Sequence, residues 1–130
     1  MTRQIQAGKG KERQMAQDKF MDELNEYVAM VQERVNAYWE ERGFQKHLGD
    51  PPTMTIEMGR KNAKIVSVSN LSLPLYQQIK SVHTFVNMET GDILKAGSWK
   101  APAPNGVRGN IFTEDHGASV VNEHGAKYLN

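Results

Sequence analysis

The chain has 130 residues, about the size of one domain, and 38% of them are hydrophobic, so it can bury a core without staples. It holds no cysteine, which excludes disulfides, thiolate metal sites and a cysteine nucleophile. Net charge is +1, yet the charges are segregated into a basic N-terminal stretch, an acidic segment over 15–41, and an acid-free stretch over 93–113 carrying Lys95, Lys100 and Arg108.

Residues 1–10 contain Gly8 and Gly10 and no apolar cluster, which reads as a flexible basic arm ahead of a single domain over 11–130. The first six residues lack the apolar core of a secretory leader. From Lys11 to Arg42 the pattern is helical. Met21, Leu24, Val28, Val31, Val35 and Tyr38 recur at spacings of three and four, and Phe20 and Tyr27 widen the stripe. Asp18, Asp22, Glu26, Glu33 and Glu40 fall on the opposite side and form an acidic face. The stripe is too broad and too short for a coiled-coil seam, so packing across a sheet is expected. Gly43 is placed to end the helix, and Pro51 and Pro52 block its continuation. The longest apolar run, Tyr27 to Val31, cannot span a bilayer, and no membrane association is expected.

Strand signals follow. Thr53 to Met58 alternates, Gly59 to Asn62 turns, and Ala63 to Ser69 returns in a β-branched run. Asn70 to Lys80 is ambiguous, with Leu75 to Ile79 readable as a helical turn or a flap. Ser81 to Met88 and Asp92 to Ala96 are the third and fourth strands, joined by a turn in which Gly91 supplies a positive φ. Ser98 to Asn110, with Pro102 and Pro104, reads as irregular, and a short helix is expected near Ala118 to Glu123, stopped by Gly125 with Tyr128 and Leu129 packing back. The predicted fold is α+β: a long N-terminal helix on a four-stranded antiparallel sheet of two hairpins, closed by an irregular C-terminal wrap. The expected core includes Leu24, Val28, Val31, Val35, Ile56, Ile65, Val86 and Ile93.

The stretch from Lys95 to Asn110 carries the functional signal. Lys95, Trp99, Lys100, Arg108 and Asn110 combine an aromatic face, cations and an amide among flexible glycines. Those are the parts of a surface that stacks bases and tracks phosphates, and they point to single-stranded nucleic acid as partner. The competing reading makes Trp99 the core anchor of a loop wrapped over the sheet edge. Trp99 is expected to be at least half buried, with Lys100 and Arg108 exposed beside it. The acidic helix face offers a second class of partner, another protein, and would repel a duplex laid along it.

Catalysis finds little to recruit. Gly8 to Lys11 is too short for a phosphate loop, and no serine sits in a nucleophile elbow. The histidines His47, His83, His116 and His124 match no metal-ligand spacing. No cofactor, metal site or catalytic residue is expected, and the chain reads as a non-enzymatic binding protein.

From Phe85 onward the chain resembles a group of small proteins of tailed bacteriophages, especially marine ones. The resemblance rests on Thr90-Gly91-Asp92-Ile93, Lys95, and Ser98 to Ala103, then on Arg108 to Phe112 and Gly125 to Leu129. It implies a phage origin and a place in the host cytoplasm or the virion. It implies no mechanism. The chain departs from the pattern in the uncharged Pro104 to Val107 and in ending on Asn130, and both departures count against phosphate binding by that stretch.

Overall fold

The computed structural model describes residues 2–70 and 79–127, with side chains from Gln14 onward apart from Asn105. Its elements are α1 (Thr2–Glu41), α2 (Gln45–Leu48), β1 (Thr53–Met58), β2 (Asn62–Val68), β3 (Lys80–Asn87), β4 (Asp92–Ala96), β5 (Pro102–Asn110), a 3-10 turn (Ala118–Val120), β6 (Val121–Asn122) and β7 (Gly125–Ala126). The ambiguous stretch 71–78 and the expected packing of Tyr128 and Leu129 lie outside the described residues. The fold is α+β, one long helix against an antiparallel sheet.

The helix follows from its sequence. Phe20, Leu24, Tyr27, Val31 and Val35 are buried in one stripe, with Met21 and Val28 packed beside it. Gly43 ends the helix at φ 66°, a conformation glycine adopts without a Cβ penalty. Residues 2–10, expected as a flexible basic arm, are part of the helix. Arg, Gln, Ala and Lys there are strong helix formers, and they outweigh the cost of about 1 kcal/mol for each of Gly8 and Gly10. Among the described side chains, Gln14 to Lys19 are all exposed and the first buried against the sheet is Phe20.

The large sheet runs β1-β2-β3-β4-β5 in chain order, each pair antiparallel. The helix covers one face, meeting Met54, Ala63, Ile65, Val86 and Ile93. Six of the eight expected core residues are fully buried, and Val28 and Ile56 are partly so. Gln32 secures the β1 edge by accepting from Met54 N at 2.7 Å and donating to Pro52 O at 2.9 Å. On the helix's other flank, the Arg34 guanidinium donates to the carbonyls of Ala118 and Val121.

Two expectations are corrected. The sheet has five strands, because 102–110 pairs with β4. Pro102 and Pro104 are tolerated since β5 is an edge strand, and bulges absorb the misfit. The expected helix near Ala118 to Glu123 is a single 3-10 turn followed by the β6–β7 hairpin. Asn122 Oδ1 accepts from the backbone N–H of His124 and Gly125 and so turns the chain after two strand residues.

A buried polar chain lies under the helix. Tyr27 OH is 2.6 Å from Thr84 Oγ1, Thr84 Oγ1 is 3.0 Å from His83 Nδ1, and His83 Nε2 is 2.7 Å from Asn122 O. The carbonyl can only accept, so Nε2 carries the proton, Nδ1 accepts from Thr84, and Thr84 accepts from Tyr27. Burial pushes the Tyr27 phenol up and the His83 imidazole down, keeping both neutral.

Candidate nucleic-acid interface

The site is built on the face of the sheet turned away from the helix. Strand alternation decides what stands there. Ile65, Val86 and Ile93 point to the helix, so Lys64, Val66, Phe85 and Leu94 point outward. Val66 and Phe85 are nonetheless buried, and they lie outside the helix-side core. The connection from β4 to β5 folds over this face. Gly97 N and Ser98 N both donate to Ala101 O, and Ser98 Oγ accepts from Lys100 N and Ala101 N, which tightens the turn and presents Trp99 and Lys100 at its tip.

Trp99 is 43% exposed. The Lys64 ammonium lies 4.1 Å from its ring centroid, a cation–π contact. On its other side the indole shares a cleft with Lys80, Ser81 and Val82. The residue is therefore more than half covered, as expected, yet it does not enter the main core. Next to it a cavity of about 310 Å³ is lined by Arg60, Lys61, Lys64 and Lys100, with Glu57 as the carboxylate and Phe85 beneath.

Five sequence-predicted residues were expected to share one surface, and the structure separates them. Trp99 and Lys100 stand on the outer face. Lys95 pairs with Thr84 on the helix side, where its Nζ donates to Ala126 O at 3.2 Å. Arg108, expected exposed, is 8% exposed. It is the extra residue of a β-bulge, since Ile93 pairs with Gly109 and Leu94 with Val107. The bulge turns its side chain inward to donate to Lys127 O at 3.1 Å and Gly106 O at 3.2 Å. Asn110 is engaged in the β3–β4 turn: its Nδ2 donates to Thr90 O and Asp92 Oδ1, and its Oδ1 accepts from Phe112 N.

Lys64, Lys80, Arg60 and Lys61 were missed. For Lys64 and Lys80 the signal was period-two alternation carried through the pairing register: Lys80, two residues before Val82, shares the face of Val66. The acidic helix residues Asp18, Asp22, Glu26, Glu33 and Glu40 are all exposed on the far side of the molecule. The helix alone is about 10–12 Å thick. That exceeds the Debye length of about 8 Å at physiological salt, so the acidic ridge does not cancel the basic face.

Other chemistry is sparse. Among the described residues no group of three or more His, Asp and Glu could hold a metal ion. His116, at φ 53°, lies 2.8 Å from Glu23 and ties the C-terminal segment to the helix. Asp115 accepts from Thr113 Oγ1, Ser119 N and Gly117 N, bonds that hold its carboxyl down to about 2. Among the described residues no helix is long and apolar enough to cross a membrane.

No curated protein and no solved structure matches this chain. Residues 9–128, nearly the whole chain, match the model of the Family of unknown function (DUF7717), and the chain belongs to that family.

Proposed function

We propose that this protein is a non-enzymatic binding protein that holds single-stranded nucleic acid against the outer face of its sheet. One observation carries the reading: Trp99 stands over that face with Lys64, Lys80 and Lys100 around it, while the acidic residues lie behind the helix. A base stacks on the exposed part of the indole, and the lysines follow the backbone. Stacking is worth about 1–3 kcal/mol per base. Lys95, Arg108 and Asn110 serve the fold in this scheme. The phage resemblance supports a role in an infected host cell, as an accessory factor acting on nucleic acid there.

Fluorescence anisotropy with a labelled oligothymidine tests the proposal. Affinity should fall as salt rises, and Trp99→Ala should weaken it. Absence of salt-dependent binding at low ionic strength would end the proposal.

A second reading rests on the helix. Asp22, Glu26, Glu33 and Glu40 are exposed, and among the described residues none pairs with a lysine or arginine. That ridge suits a basic protein partner, such as a host or defence factor or a virion component. Recovery of one stoichiometric protein from nuclease-treated lysate, lost on replacing Glu26 and Glu33 by Gln, would favour it.

A further inference from the structure

We infer that the cavity beside Trp99 is a subsite for the phosphorylated end of a strand, so that the ligand is a nucleic acid bearing a terminal phosphomonoester. This rests on the outer-face reading above and narrows its ligand.

The first argument is charge. Arg60, Lys61, Lys64 and Lys100 line one cavity of about 310 Å³, and Glu57 offsets one of the four cations. An internal phosphodiester carries a single negative charge, which leaves most of that excess unmatched. A terminal phosphomonoester carries about −1.5 to −2 at neutral pH and offers three acceptor oxygens. Charge-assisted hydrogen bonds to it are roughly twice as strong as neutral ones.

The second argument is an unpaired group. Asn62 lines the same cavity, and its Oδ1 is buried with no hydrogen-bond partner among the described residues. Four cations alone describe a site for any anion. The unpaired amide sets this wall apart from a simple cluster of surface cations.

The third argument is geometry. Lys64 belongs to both halves of the site, since it lines the cavity and contacts the Trp99 ring at 4.1 Å. A nucleotide whose base lies on Trp99 therefore brings its phosphate to the cavity by way of Lys64. Lys100, adjacent to Trp99 in sequence, lines the same cavity.

The test compares two oligothymidines of about 12 nucleotides, within the usual site size for single-strand binders. One carries a 5′-phosphate and the other a 5′-hydroxyl, and a 3′-phosphorylated strand gives the opposite polarity. Binding is read by anisotropy at low salt with the full chain. At least one phosphorylated strand should bind about tenfold more tightly than the unphosphorylated one. Arg60→Ala with Lys61→Ala, both at exposed turn positions, should abolish that difference, whereas Trp99→Ala should weaken all strands alike. Circular dichroism checks that the variants fold. Equal affinity for phosphorylated and unphosphorylated strands overturns the end subsite and leaves the outer-face reading standing. Absence of binding to any strand overturns both.

Discussion

The two faces of the sheet are made from alternate residues of the same strands and do opposite things. The helix-side face is dry at its centre: Leu24, Tyr27, Val31, Ile65, Val86 and Ile93 expose nothing, and the Tyr27–Thr84–His83 chain among them is neutral and paired. The outer face buries Val66 and Phe85 and leaves Trp99 half exposed beside Lys64. Both faces are hydrophobic enough to order the chain, but only one leaves charge and an aromatic surface within reach of a ligand. The comparison teaches that a burial pattern locates a core, whereas a partly satisfied second patch is where the proposed interface has to be tested.

The largest effect should come from the inner face. Leu24→Ala removes a side chain that is wholly buried and should cost about 2–5 kcal/mol, read as a lowered urea midpoint. A loss near zero would mean that the helix does not pack where it is placed. On the outer face, Trp99→Ala should cost less stability, about 1–2 kcal/mol, because the residue is already 43% exposed. Affinity for a single strand should fall by about 1–3 kcal/mol in the same variant. If Trp99→Ala instead destabilises as much as Leu24→Ala, the outer patch is a second core and the contrast fails.

The buried histidine sharpens the comparison through pH. Burial, as the largest cause, lowers the folded-state pKa of His83 below 6.5, while the unfolded chain titrates near that value. The unfolded state therefore binds more protons as pH falls below 6.5, and stability present above that pH is lost on acidification, by at most about 1.4 kcal/mol per pH unit. His83→Gln should be less stable at pH 7 yet show a flatter decline between pH 6.5 and 5. An identical slope in both proteins would place the sensitivity elsewhere.

The smallest effect on stability is expected at Lys100. Lys100→Ala should move stability by less than about 0.5 kcal/mol. Its consequence should appear in binding, where the dependence of log affinity on log salt should flatten by roughly one unit. A stability loss above that range would make Lys100 part of the fold.

Local patterns were legible wherever a single element decided them. The helical stripe from Phe20 to Val35, the alternation of Thr53 to Met58 and the positive φ of Gly91 each follow from chemistry within a few residues, and the structure carries all three. Gly91 has a further reason to be glycine, because a Cβ there would lie 2.5 Å from the Phe112 ring. The fifth strand was not legible. Prolines argue against a strand in general, and nothing local announces that this one lies at a sheet edge, where a missing N–H costs little.

The candidate site divides the same way. Composition by itself determined that Trp99 and Lys100 would share a turn rich in small residues, and that acids and cations would occupy separate segments. Tertiary structure alone decided which cations reach the indole. Lys64 arrives from a strand 35 residues earlier in the chain (Lys64 against Trp99), because register brings it beneath the folded-over turn. Lys95 and Arg108 leave, one by strand alternation and the other by a bulge, to hold the carbonyls of Ala126 and Lys127. Nearness along a chain is a property of sequence, but the side of a sheet on which a residue stands depends on pairing register. A single extra residue reverses it, and that extra residue is set by partners many positions away.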